Sequence, residues 1–280
     1  MSNQEGQSGR TVQGSISYFG SASEKPTFHA QDHRRDNWAA DQQTVTFHDA
    51  RTWTNAPTLR REGVCVADFP TTIDFHNREQ VKERYGHEIA EVVKALTGAK
   101  RVVGFPQGHM RFSPRTSQYQ TGQNTQPAHF PHVDCTPNTA HGLIDNSYFG
   151  VAKEELKPGE RLVGFNVWRV VSEPPQDWPL AACDIQTVDR DDLVAADGVY
   201  DYSEPPWMRF EAYLVRHNPK HRWIYFSDMR PDEALIFRAY GSEKDWIAPA
   251  PHTAFADPSC PPDAGGRISV ESRCYAIFED

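Results

Sequence analysis

The chain has 280 residues, of which 38% are hydrophobic and 24% charged, and its formal net charge is −9 at pH 7. This composition is typical of a globular chain that can bury a core as one large β domain or two small domains. The chain has a net negative charge and no Lys/Arg-rich run, and both features argue against a nucleic-acid partner.

The chain has no segment typical of export or of membrane insertion. Its first ten residues lack the apolar stretch of a signal peptide, and no stretch approaches the roughly 20 apolar residues that span a bilayer. No C-x-x-C pair occurs, so neither a disulfide framework nor a cysteine zinc site is expected. We therefore expect a reduced, cytoplasmic enzyme. The five cysteines are Cys65, Cys135, Cys183, Cys260 and Cys274.

In chain order, residues 1–10 are polar and are predicted to be disordered, and residues 11–280 are predicted to form a single domain. The one clear helix is predicted over Asn77–Lys100, where apolar residues recur at helical spacing. Asn77 with Gln80 resembles a capping box, and Gly98 is typical of a helix end.

The rest of the pattern is mostly β. Short runs of β-branched and aromatic residues alternate with turns rich in Pro, Gly and Asp. Many short strands with few helices predict a sandwich or a small barrel. The predicted strands are Thr44–Phe47, Arg101–Phe105, Leu162–Val171, Phe210–Arg216, Arg222–Phe226, Ala234–Arg238 and Arg267–Phe278.

The first chemical signal is the triplet His132-Val133-Asp134. In a strand, residues i and i+2 point to the same face, so the imidazole and the carboxylate would converge while Val133 faces the other layer. These are two corners of the two-His, one-carboxylate site that suits Fe(II) oxygenases. The triplet also arises by chance, and taken alone it favours the simpler interpretation of a surface His beside an Asp.

The second signal is His252, followed after a loop by Arg267-Ile268-Ser269. An Arg fork with a Ser hydroxyl beside it fits the distal carboxylate of a dicarboxylate cosubstrate. Arg267, Ser269, Glu271 and Arg273 would share one strand face, which is costly to bury unless ligands or ion pairs satisfy it. An edge strand with a polar face in water is the alternative. The third ligand is expected from the strand beside that of Arg267.

Four other histidines compete for the third ligand position. His217 and His221 are four residues apart, but Pro219 between them argues against a helical metal motif. His129 is at odd spacing from His132 and would point away from it, and His141 is expected in a loop. We interpret these four as structural or solvent-exposed.

With these residues in view, the sequence resembles the 2-oxoglutarate/Fe(II)-dependent oxygenase family that includes gibberellin-desaturase-like, aspergillic-acid-hydroxylase-like and cephamycin-methoxylation-like proteins. Several short sequence motifs occur in the same order along the chain as in the family. The matching segments are Val45–Arg51, Tyr85–Gly98, Pro127–Thr136, Asn166–Arg169, Asp177–Asp184, Trp223–Phe237, Pro251–Phe255 and Arg267–Arg273. Cys135-Thr136 replaces an expected Gln-Ser and Gly241-Ser242 an expected Asp-Ser, which puts the substrate fit in doubt and leaves the triad intact.

The resemblance implies a mainly β fold, a double-stranded β-helix (jelly roll, cupin-like) with a few flanking helices. It implies Fe(II), 2-oxoglutarate and O2 as cofactors, with ascorbate as an addition in vitro. The iron ligands and catalytic residues would be His132, Asp134 and His252. The keto acid would be held by Arg267 with Ser269, and Arg273 is the alternative arginine.

The implied function is hydroxylation, desaturation or a related C–H oxidation of a small secondary metabolite. Asn166, Tyr225 and Arg111 are candidate substrate residues. Asn166 is the better candidate for a polar contact, whereas a core or surface role suits Tyr225 and Arg111 at least as well. We expect a small-molecule substrate, no nucleic acid or membrane partner, and a homodimer as one possible assembly. Two other functions remain open: an accessory subunit of a biosynthetic oxygenase pair, and a zinc-dependent hydrolase.

Overall fold

The computed structural model describes residues 9–30, 32–105, 108–119, 125–145, 157–200, 208–241 and 248–279. The predicted disorder of residues 1–10 falls largely on residues 1–8, which lie outside this set. Arg10 donates its backbone N–H to Thr52 and its guanidinium to Ser259.

Fifteen strands are the main regular structure of the described chain. They are β1 Thr11–Ala22, β2 Thr27–His29, β3 Trp38–Asp49, β4 Val64–Asp68, β5 Arg101–Gly104, β6 His109–Phe112, β7 His132–Val133, β8 Glu160–Val170, β9 Leu180–Cys183, β10 Leu193–Tyr200, β11 Met208–Val215, β12 Trp223–Tyr225, β13 Glu233–Gly241, β14 His252–Ala254 and β15 Ile268–Glu279. The helical segments are α1 Arg78–Gln80, a π-helical turn Val81–Tyr85, α2 Gly86–Thr97 and α3 Pro137–Asp145, with short 3-10 turns at His33–Arg35, Ala50–Thr52, Ile185–Thr187 and Arg190–Asp192.

The strands form two curled sheets. The larger has nine strands in the order β1-β3-β12-β9-β14-β7-β11-β10-β2. The smaller has the order β4-β13-β8-β15-β5, and β6 also pairs with β15. The prediction of a mainly β double-stranded β-helix is confirmed. All five cysteines are free thiols. Within the described ranges, no helix combines the length and the apolarity needed to cross a bilayer.

Strand β8 is apolar along most of its length because it lies in the core. Its residues from Leu162 to Val170 are buried in succession, because both faces of the strand are covered. Trp168 and Val170 face the interior between the sheets, where they pack against Ile224 of the larger sheet. Val167 faces the opposite way and packs beneath the helical segment.

The predicted helix is confirmed, with two differences in detail. Asn77 caps it by accepting the N–H groups of Glu79 and Gln80. The capping box is only half formed, because the side chain of Gln80 accepts from the N–H of Asp74 instead. Gly98 ends the helix in the left-handed region at φ 69°. Leu96 completes the apolar pattern but is 45% exposed, so it lies beyond the buried stripe.

Gly86 and Gly104 let this helix approach β5 closely. A Cβ on Gly86 would lie 2.8 Å from the carbonyl oxygen of Gly104, and a Cβ on Gly104 would overlap the carbonyl of Gly86. Both obstacles are backbone atoms, which cannot rotate away. We therefore expect Gly104→Ala to lower the free energy of unfolding by about 1–3 kcal/mol, the usual cost of overpacking.

Chemical denaturation monitored by circular dichroism measures this loss. Gly142→Ala is the matched control, because no atom of the described residues lies within 4 Å of the added Cβ in α3. Alanine also favours helix over glycine, so this control is expected to be neutral or slightly stabilising. Equal stability of the two variants would contradict the close approach of the helix to β5.

Candidate metal centre

Three side chains that could bind a metal converge at the centre of the larger sheet. His252 of β14 is the direct antiparallel partner of His132 of β7. Their rings lie 4.3 Å apart between centroids. Asp134 follows β7 at the i+2 position, while Val133 between them is fully buried on the other face. The ligand atoms of His132, Asp134 and His252 all lie within 4.8 Å of one another.

Backbone carbonyls orient both imidazoles toward the centre. The Nδ1–H of His132 donates to the carbonyl of Phe130 at 2.9 Å, and Nδ1 of His252 lies 3.4 Å from the carbonyl of Ala250. Each ring therefore presents Nε2 to the site. Within the described part of the chain, Nε2 of His252 is buried and has no hydrogen-bond partner. A buried donor or acceptor without a partner is costly, and a metal ion would satisfy it.

The electrostatics favour cation binding. Burial lowers the pKa of His132 to about 4, and it also lowers the pKa of His252. Both imidazoles are therefore neutral at neutral pH, the state that binds metals. Burial alone would raise the pKa of Asp134, but Arg273, His252 and His132 together hold it well below its usual range. Two neutral histidines and one ionised carboxylate fit Fe(II), with coordination positions left open.

The polar face of β15 lies inside the molecule. Because β15 pairs with β8 on one side and with β5 and β6 on the other, it is not an edge strand, and the alternative of a solvated polar face is wrong. Ser269 is fully buried and Arg267 is 1% exposed. Both must therefore find partners within the protein or in a ligand.

Arg267 satisfies only part of its hydrogen-bonding capacity. Its Nη1 donates to the carbonyl of Trp178 at 2.7 Å, and its guanidinium lies 5.5 Å from the ring centre of Trp168. Counting the described residues, neither Nε of Arg267 nor Oγ of Ser269 has a hydrogen-bond partner. Burial, reinforced by Arg111, lowers the pKa of Arg267 to about 9. A carboxylate would satisfy both atoms and offset the buried charge.

Arg273, four residues beyond Ser269, faces the metal centre. Its Nη2 lies 3.0 Å from Oδ1 of Asp134, and its Nε donates to Oδ2 at 3.2 Å. The same Nη2 donates to Glu271 at 2.9 Å. These two carboxylates raise the pKa of Arg273 despite its burial. Arg273 is therefore committed to side chains of the protein itself.

A cavity of about 210 Å³ opens beside Asp134. Its polar side includes Arg111, Asn166, Glu271 and Arg273. A smaller cavity of about 50 Å³ lies on the other side of Asp134 and also contacts His132. The aromatic residues of the larger cavity are Phe105, Phe165, Tyr200, Phe210, Tyr240 and Tyr275.

A family model described as "Oxidoreductase/YMDC permease-like domain" matches residues 16–277. The Fe(II)/2-oxoglutarate-dependent dioxygenase nvfI of Aspergillus novofumigatus is 32% identical over 258 residues, which cover 86% of this chain and 84% of that protein. The chain belongs to the Fe(II)/2-oxoglutarate-dependent oxygenases. The hydroxylase/desaturase efuI of Hormonema carpetanum is 28% identical over 257 residues, covering 85% of this chain and 84% of its own length.

A solved structure of the iron and alpha-ketoglutarate-dependent endoperoxidase NvfI superposes with a TM-score of 0.80 at 26% identity, covering 96% of this chain and 99% of that one. The enzyme therefore uses Fe(II), 2-oxoglutarate and O2, and its substrate is a small molecule. The accessory-subunit and zinc-hydrolase alternatives are set aside by this assignment.

The oxygenase brings most of the predicted residues to one place. His132, Asp134 and His252 form one cluster, and Asn166 and Arg111 line the larger cavity. Tyr225 lines neither cavity at the metal. It packs edge-on against Phe255 on the other face of the larger sheet. The aromatic cavity residues were not predicted, because aromatics are as common in cores as in binding sites.

One geometric expectation is wrong. The third ligand was expected on the strand next to Arg267, but His252 lies on β14 of the larger sheet while Arg267 precedes β15 of the smaller one. No strand pairing therefore joins His252 to Arg267 in the described structure.

The competing histidines of the oxygenase lie elsewhere or carry other contacts. His221 bonds to Tyr18 through Nδ1 and to Asp192 through Nε2, which uses both ring nitrogens. His217 is exposed, and His141 lies in α3 and not in a loop. His129 was expected to point away from His132, yet both line the smaller cavity.

Proposed function

We propose that this oxygenase oxidises a C–H bond of a small, largely apolar natural product at iron bound by His132, Asp134 and His252. The observation that carries the proposal is the cluster of three donor atoms within 4.8 Å, of which Nε2 of His252 is buried with no partner among the described residues. The reaction is a hydroxylation, a desaturation or a related oxidation. When bound, iron and the keto acid supply the activation of O2, coupled to loss of CO2 from 2-oxoglutarate.

We further propose that Arg267 and Ser269 bind the distal carboxylate of 2-oxoglutarate. Arg267 has an unpartnered Nε and Ser269 an unpartnered Oγ, again counting the described residues. Ser269 lies in β15, Arg267 directly precedes this strand, and both side chains are buried. The guanidinium of Arg273 is instead held by Asp134 and Glu271. A keto acid held by Arg267 would complete an unfinished set of contacts, whereas Arg273 would have to give up existing ones.

The larger cavity supports a small, mainly apolar substrate. Six aromatic side chains line it, and such rings exclude water and pack against flat or ring-shaped molecules. Its volume of about 210 Å³ suits a molecule of a few fused rings. Relatives of the chain carry the names hydroxylase/desaturase and endoperoxidase, which supports C–H oxidation as the reaction class.

Anaerobic titration tests the proposal directly. Adding Fe(II) and 2-oxoglutarate to the full chain is expected to produce a visible charge-transfer band, since light absorption would shift charge from Fe(II) to a bound keto acid. Zn(II) has a filled d shell, so it is expected to give no band and serves as the control. Admitting O2 should then release succinate. Absence of the band with Fe(II) would contradict the proposed centre.

A further inference from the structure

The two sheets contribute differently to the metal centre. All three candidate ligands come from the larger sheet or directly follow one of its strands. Opposite them, the smaller sheet presents Asn166 of β8 and Arg273 of β15, which are direct cross-strand partners. Cross-strand partners place their side chains on the same face, and both reach Asp134 from the other side of the interior. The carboxylate ligand is thus held between the sheets.

The contacts to Asp134 are unequal at its two oxygens. Oδ2 accepts from Nδ2 of Asn166 at 2.5 Å and from Nε of Arg273 at 3.2 Å. Among the described residues, Oδ1 contacts Nη2 of Arg273 at 3.0 Å and lies 3.8 Å from Nε2 of His132, while Oδ2 lies 3.9 Å from Nε2 of His252. Each oxygen therefore faces one of the two histidines. Because Oδ2 accepts from two donors and Oδ1 from one, Oδ1 keeps more acceptor capacity for a metal.

The orientation of the Asn166 amide follows from chemistry. An ionised carboxylate only accepts hydrogen bonds, so the NH2 group of the amide must face Asp134 and the amide oxygen must point away. Asn166 is fully buried and lines the larger cavity. Its Oδ1 has no hydrogen-bond partner among the residues that the structure describes. One small side chain thus touches the ligand at one end and offers a buried acceptor at the other.

We propose that Asn166 is a positioning residue that couples the iron ligand to the substrate. Its Nδ2 holds Asp134 so that a single oxygen, Oδ1, binds iron. Its Oδ1 accepts a hydrogen bond from a hydroxyl or N–H group of the substrate. This inference rests on the proposed function, and it adds a chemical requirement: the oxidised molecule carries a hydrogen-bond donor near the carbon that reacts.

Arg273 and Asn166 both contact Asp134, but only Asn166 can also contact a substrate. Arg273 is tied to Glu271 as well as to Asp134, so its guanidinium cannot turn toward a substrate without breaking an ion pair. Asn166 is neutral, and its side chain bonds only to Asp134 among the residues that the structure describes. It can therefore contact the substrate without changing its hold on the ligand and without adding charge to a buried cavity.

Anaerobic Fe(II) titration in the presence of 2-oxoglutarate tests the ligand side. Asn166→Leu is expected to weaken Fe(II) binding on the order of ten- to a hundredfold, the usual effect of losing a hydrogen bond to a metal ligand. Asn166→Ala removes the amide without adding volume and should behave alike if the leucine variant does not fold. Ser272→Ala is the matched control, because Ser272 lies on the opposite face of β15 and bonds to the carbonyl of Phe105. Wild-type affinity in Asn166→Ala would overturn the inference.

A calorimetric experiment tests the proposed contact between Asn166 and the substrate. It measures the binding of 2-naphthol and of its methyl ether to the anaerobic enzyme loaded with Fe(II) and 2-oxoglutarate. The two probes share an apolar ring system, but only the naphthol can donate. The wild type is expected to prefer the naphthol on the order of tenfold, the worth of one buried hydrogen bond. Asn166→Ala should lose the preference. Equal binding of both probes to the wild type, or an unchanged preference in the variant, would overturn the acceptor role.

The outcomes separate this inference from the function on which it rests. A wild-type enzyme without the charge-transfer band contradicts the iron site itself. If the wild-type enzyme shows the band and the Asn166→Ala variant binds Fe(II) with equal affinity, only the role of Asn166 is contradicted.

Discussion

Alanine at any one of His132, Asp134 or His252 is expected to abolish both iron binding and the charge-transfer band. The three donor atoms form one cluster, and a facial site that loses a donor cannot hold iron against water at the remaining two. Iron content after anaerobic desalting, together with succinate release, measures the effect. We expect a loss of more than a hundredfold in each, at the upper end of the effects of ligand-shell changes.

His217→Ala is the matched histidine control, because His217 is exposed and lies far along the chain from the cluster. His221→Ala should keep bound iron but lose stability, since it removes bonds to Tyr18 and Asp192. Iron and turnover retained in His252→Ala, with loss in His221→Ala, would show that the third ligand is misassigned. The fold would stand in that case, because its core does not depend on this choice.

Arg267→Leu is expected to raise the 2-oxoglutarate concentration needed for half-maximal band formation by about thirty- to a thousandfold. The basis is a charge-assisted contact worth about 2–4 kcal/mol. Iron affinity should change little, because Arg267 touches none of the three ligands in the described structure. Folding should also survive, since the change removes a buried charge that is only partly paired.

The 2-oxoglutarate requirement of Arg273→Leu is compared with that of Arg267→Leu at saturating iron. Arg273→Leu removes the partner of Asp134 and Glu271, so the main loss is expected in Fe(II) affinity and not in keto-acid affinity. The opposite pattern, with the keto-acid requirement raised by Arg273→Leu and unchanged in Arg267→Leu, would mean that the other arginine binds the cosubstrate.

Local regularities made part of the fold predictable. The helix was found because its apolar residues repeat at helical spacing and Asn77 and Gly98 mark its ends. Strands β8 and β15 were found because they are long and rich in β-branched and aromatic residues. The strands that were missed lack such a signal. β14 has only three residues, and β1 carries many polar residues because its exposed face is in water. Of β3, only Thr44–Phe47 was predicted, because its first half is polar.

By itself, the sequence determined the donor set. A strand's period of two places His132 and Asp134 on one face, and the same period lines up Arg267, Ser269 and Arg273. Only the tertiary structure decided how these groups meet. His252 joins the cluster of candidate ligands because β14 pairs with β7, and Asn166 reaches Asp134 because the two sheets face each other. These contacts join residues far apart in the chain, and sequence spacing carries no information on which strands pair or which sheet faces which.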